Sequence, residues 1–228
     1  MPHADSSYIP DTVRTKTDFY EHVATHLEAL LHGERYWVTN LAQTAAILYH
    51  SYLACSLYGG EATKPVVNWC VLSVHFGPTS STGFYLRPPS HPSSPSSTSS
   101  DQPASSTSTS QSPSSPSLSQ PQLPPLLLGP YQGRPACLSI NPIKGKGVCA
   151  DAFLSRSTLI VDDVEAYPGH IACDGETKSE IVLPLLNTEG SVIGVLDLDS
   201  TSLGTFGEED KKGLERIVGI LKEGCDWS

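Results

Sequence analysis

Several features that would send a chain to a membrane, a nucleic acid or the cell exterior are scarce in this sequence. No run of roughly 18 apolar residues occurs, so an ordinary membrane-spanning helix is excluded. The first residues, MPHADSSYIPD, lack the basic-then-apolar order of a secretory leader. Asn-x-Ser/Thr acceptors for glycosylation are absent. Basic residues are few: 14 Lys and Arg stand against 24 Asp and Glu, a formal charge of −10, which repels phosphate backbones and anionic membrane surfaces. The six cysteines include no pair at the roughly two-to-four-residue spacing of structural zinc sites, and the chain is too long to need disulfide staples. These absences predict a cytoplasmic or nuclear protein with reduced thiols and no metal cofactor, bound to neither nucleic acid nor membrane.

What is present divides into a foldable part and a tract that cannot fold. From Pro88 to Pro125, 29 of 38 residues are Ser, Thr or Pro. So few large apolar side chains cannot offset the entropy of ordering, and the tract is read as a disordered surface loop. About 190 residues remain, enough for one domain with a full core. Apolar residues at helical spacing (Phe19, Val23, Leu27, Leu30) predict a helix within residues 13–31. Val38, Leu41, Ala45, Leu48 and Tyr52 predict a second, with Thr39 or Asn40 as its cap. Strand patterns follow at Val66 to Trp69, Gly83 to Leu86, Leu126 to Leu128, Ala136 to Ile140, Thr158 to Val161, Ile181 to Leu186 and Val192 to Leu198, with a hairpin turn over Asn187 to Gly190. The piece from Val71 to Thr82 reads as an irregular insertion. A closing helix is expected over Glu208 to Glu223, with acids in its first turn. Helices at both ends of a mostly antiparallel sheet make a single α+β domain.

Cys137, Cys149 and Cys173 stand apart from the other cysteines because they fall in segments rich in Gly, Pro and Lys. A thiol in such loops can be exposed, and Lys144 or Lys146 can favour its thiolate. Cys55, Cys70 and Cys225 read as small buried apolar residues. Glu180, Asp197 and Asp199 complete the group, the two aspartates alternating on one face of a strand. Three thiols and three carboxylates suit reduction of a sulfoxide: a thiolate attacks sulfur, a carboxylic acid with a raised pKa protonates the oxygen, and a second thiol resolves the sulfenic acid as a disulfide.

The motifs NW…GFYL (Asn68, Trp69, Gly83 to Leu86), LGPYQGRPAC, GKGVC, PGHIACD, SEIVLPL and GVLDLDS together resemble the free methionine-(R)-sulfoxide reductase family, which uses a GAF fold. The resemblance spans nearly the whole chain outside residues 71–82 and 88–125. It implies a GAF-like domain, and an enzyme that reduces free L-methionine (R)-S-oxide with thioredoxin as electron donor and no cofactor. It implies Cys173 as the attacking thiol, with Cys137 or Cys149 resolving it. It also implies Trp69 and Tyr85 as pocket walls, Glu180, Asp197 and Asp199 as polar contacts to the ligand, and a homodimer as the assembly to test.

Two rival readings share parts of this pattern. A non-catalytic GAF sensor of a small ligand would have the same fold but no need of three loop cysteines. The segment VIGVLDLDST also offers the Asp-x-Asp-x-Thr of a magnesium-dependent phosphatase, but too little chain follows it to supply the remaining magnesium motifs.

Overall fold

A computed structural model describes residues 8–59, 66–75, 123–171 and 173–227. In chain order the elements are α1 (Lys16–Leu30), α2 (Trp37–Ala54), β1 (Val67–His75), β2 (Leu126–Gly133), β3 (Ser139–Ile140), α3 (Val148–Ser155), β4 (Leu159–Val161), β5 (Ser179–Leu186), β6 (Val192–Ser200) and α4 (Glu208–Gly224). The strands form one sheet in the order β3-β2-β1-β6-β5-β4, antiparallel throughout. The sheet's two faces carry different cores. Ile181, Leu183, Leu185, Leu196 and Leu198 point to the side covered by α1, α2 and α4. The intervening Val182 and Val195 point to the other side, where α3 packs. Strand alternation therefore sorts β5 and β6 into two apolar faces, which is why SEIVLPLL shows no clean polar stripe.

Local chemistry starts and stops the helices. Thr15 caps α1, accepting from the Asp18 amide while the Asp18 carboxylate accepts from the Thr15 amide. Asp210 does the same for α4 by reaching back to the Gly207 amide, 2.7 Å away. The start of α2 departs from expectation: neither Thr39 nor Asn40 caps it. Glu34 Oε1 accepts from the amides of Arg35 and Tyr36 instead. Asn40 is buried one turn in and donates to the Glu34 and Gly224 carbonyls. Its amide serves a tertiary contact, which a local capping rule cannot foresee.

Three strand expectations also change. β1 runs on to His75, paired with both β2 and β6, so the irregular piece expected from Val71 begins as strand, with a register shift against β2 between Val71 and Ser73. The strand expected over Ala136 to Ile140 shrinks to two residues, because Cys137 is held in the preceding coil by a cross-link. A helix not anticipated at all, α3, follows GKG. The expected strand Gly83 to Leu86 and nearly all of the Ser/Thr/Pro tract lie outside the described residues. His75 and Leu126 are register partners, so everything between them joins two neighbouring strand ends. Closing such a loop costs only logarithmically more as it lengthens.

Candidate functional site

Register brings the acids together. Glu180 of β5 lies opposite Asp199 of β6, and Asp197 lies opposite Val182, so all three carboxylates emerge on the α3 side of the sheet. Glu180, Asp197 and Asp199 are 5%, 8% and 4% exposed, a buried acidic cluster and not a solvated face. Burial disfavours the charged forms. It pushes Glu180 up to about 7, and it pushes Asp197 and Asp199 well above the carboxylate range, with the charge of neighbouring carboxylates adding to the effect on both aspartates. Asp197 and Glu180 hydrogen-bond to one another. At neutral pH the cluster therefore holds protons. Asp197 Oδ1 and Asp199 Oδ1 are buried and have no hydrogen-bond partner among the described residues.

Two loops and α3 form the roof. The first loop (residues 141–147) and the second (168–171) touch where Gly169 packs against the Gly145 carbonyl, leaving no room for a Cβ. Gly169 also adopts a φ of 79°, in the region glycine tolerates best. Asp151 of α3 ties both loops down: Oδ1 accepts from the Gly145 amide at 2.7 Å and Oδ2 accepts from the Tyr167 hydroxyl at 2.9 Å. Nearby, Asp174 accepts from Arg134 Nε at 3.1 Å and from Asn68 Nδ2 at 3.3 Å, fixing the segment after Cys173 to β1 and to the end of β2. The GKG and PGH motifs are thus explained by a close approach of two backbones.

Under this roof is a cavity of about 300 Å³ lined by Cys137, Cys149, Cys173, His170, Glu180, Asp197 and Asp199, among others. Cys137 and Cys173 form a disulfide with Cα atoms 5.5 Å apart. Cys149 is a free thiol, buried on the first turn of α3, and donates to Asp197 Oδ2 at 3.3 Å. Its placement corrects the expectation of a loop thiol activated by lysine. Burial first, and then the Asp197 carboxylate, push the Cys149 thiol well up. His170 faces Glu180, with Nε2 3.5 Å from Oε2, and burial lowers its pKa. Trp69 stands opposite Asp199 in the β1–β6 register. Tyr85 lies outside the described residues. Arg134, Asn68, Asp174 and Asp151 complete the architecture, and no spacing singles them out; the first three fall inside the GRPAC, NW and HIACD motifs, whereas Asp151 lies two residues beyond GKGVC and no motif marks it.

A six-stranded antiparallel sheet with helices on one face and a loop-roofed cavity on the other defines a GAF domain, and a family model described as the GAF domain matches residues 114–222. The relatives carry the assignment further. The chain is 31% identical to the free methionine-R-sulfoxide reductase of Saccharomyces cerevisiae, over 92% of this chain and 87% of that protein. Identity to the enzyme of the same name from Escherichia coli is 32%, over 91% of this chain and 89% of that protein. The chain belongs to the free methionine-R-sulfoxide reductase family, a family of oxidoreductases. A solved free methionine-R-sulfoxide reductase from Neisseria meningitidis, in complex with its substrate, has a TM-score of 0.63 at 28% identity, covering 96% of this chain and 95% of that one. Among the described residues no helix is long and apolar enough to cross a membrane.

Proposed function

We propose that this chain reduces free L-methionine (R)-S-oxide to L-methionine inside the cell, using its own thiols and a thioredoxin-type dithiol protein as the final reductant. The observation that carries the reading is the juxtaposition of a Cys137–Cys173 disulfide with protonated, buried carboxylates whose free oxygens line one cavity. Cys173 attacks the sulfoxide sulfur while a carboxylic acid, Glu180 first among them, delivers a proton to the oxygen. Methionine leaves, and Cys173 is left as a sulfenic acid. The Cys137 thiol condenses with it, releasing water and forming the disulfide. The dithiol protein then returns both cysteines to thiols through a mixed disulfide.

The same geometry supports selection of a free amino acid. A cavity of about 300 Å³ lies at the small end of ligand sites, and the unpartnered Asp197 and Asp199 oxygens suit an ammonium group. Trp69 and Tyr85 would wall the site. The test is turnover with dithiothreitol or thioredoxin: free (R)-sulfoxide is consumed, whereas the S epimer and peptide-bound sulfoxide are not. Cys173→Ser should release no methionine at all, and Cys137→Ser should still release one equivalent per enzyme. A stoichiometric burst from Cys173→Ser would reassign the nucleophile to Cys149 or Cys137, both of which that variant leaves as thiols lining the cavity.

A further inference from the structure

Cys149 plays no part in the disulfide, yet it is the thiol nearest the acids. Its Sγ, an Oδ of Asp197 and an Oε of Glu180 all lie within 4.8 Å of one another. The carriers are rigid: the first turn of α3 and two neighbouring strands. The Sγ to Oδ2 separation is 3.3 Å. Two ligands of tetrahedral zinc, at about 2.3 Å for sulfur and about 2.0 Å for oxygen, stand about 3.5 Å apart, so this edge already has nearly the right length. Among the described residues the buried Asp197 Oδ1 has no partner, nor does the neighbouring Asp199 Oδ1 on the cavity wall.

We infer that Cys149, Asp197 and Glu180 form a three-ligand site for a borderline-soft divalent cation of the zinc class, and that occupation of this site excludes the sulfoxide. A thiolate among the donors disfavours calcium and magnesium, which seek six or more oxygens, and favours zinc. Three protein ligands leave a fourth position, which opens into the cavity. His170 lies against Glu180 as an outer partner that orients the carboxylate. Spacing along the chain could not reveal the site, because its ligands come from separate elements. The inhibitory part rests on the reductase reading; the binding part does not.

The test uses the full chain with the Cys137–Cys173 disulfide intact, which leaves Cys149 as the only thiol among the described cavity residues. Cobalt(II) serves as a coloured substitute for zinc. The expected result is one equivalent bound with a thiolate-to-cobalt charge-transfer band, bleached by zinc. Cys149→Ser should lose the band, while Asp197→Asn and Glu180→Gln, which keep the thiol, should weaken binding at least about tenfold. Thermal melts check that each variant is folded. With thioredoxin as reductant, zinc should raise the KM for the sulfoxide. No stoichiometric binding, or a band that persists in folded Cys149→Ser, overturns the site; zinc binding without competition overturns the inhibition. Failure of the reductase reading shows separately, as no turnover in chelator-treated enzyme.

Discussion

Two regions of this molecule bury aspartate, and they treat it in opposite ways. On the helix-covered side Asp210 is fully paired: it accepts from Tyr20, Tyr58 and the Gly207 amide and forms a 2.6 Å ion pair with Lys16. On the cavity side Asp197 and Asp199 are also buried, but each keeps an oxygen with no partner among the described residues. Burial alone therefore does not mark function. A buried carboxylate whose bonds are all met is a structural clamp, here pinning α1 to α4 and to the turn after α2. One left short is held for a ligand or a proton, and it weakens the fold that carries it.

Removing each carboxylate should break or sharpen that contrast. Asp210→Ala should have the largest effect, a loss of about 3–5 kcal/mol in urea unfolding, since it strands Lys16 and two buried hydroxyls. Gly213→Ala strikes the same clamp from behind: an added Cβ would collide with the Tyr20 ring, and a loss of about 1–3 kcal/mol is expected from the same measurement. Asp199→Asn should have the opposite sign, gaining about 1 kcal/mol above neutral pH because a buried group with no partner becomes easier to keep uncharged. Glu180 gives the pH dependence. Its pKa is raised from 4.5 to about 7, so it stabilises the fold fully below 4.5, and that stabilisation is lost as pH rises through about 7. Melting temperature should thus rise as pH falls from about 7 to about 5, and Glu180→Gln should flatten that slope. The smallest effect is expected for Thr15→Ala, about 1 kcal/mol, from loss of the α1 cap.

Legibility in the sequence also differs between the two regions. The helix side was readable because its rules are local: 3.6-residue periodicity located α1, α2 and α4, and acids in the first turn located the start of α4. The acidic pair Asp197 and Asp199 was readable for a similar reason, since alternation alone places both on one face. Less was visible on the cavity side. Helix α3 is short and carries its core residues without a long repeat, so no periodicity marks the segment after GKG as helical or Cys149 as buried. The apolar stretch before Ile140 looked like strand, but Cys137 is held away from the ladder.

The sequence by itself determined which residues could take part: three cysteines in glycine-bearing segments, three acids on or beside apolar strands, and helices whose apolar faces required a sheet to cover. Those are properties of short windows, governed by side-chain period, turn chemistry and charge. Only the tertiary structure decided that Cys137 meets Cys173, that Cys149 turns inward onto Asp197, and that the carboxylates lose their water and keep their protons. Cross-strand register and desolvation depend on partners distant in the chain, and no local pattern encodes the dielectric in which a carboxylate ends up.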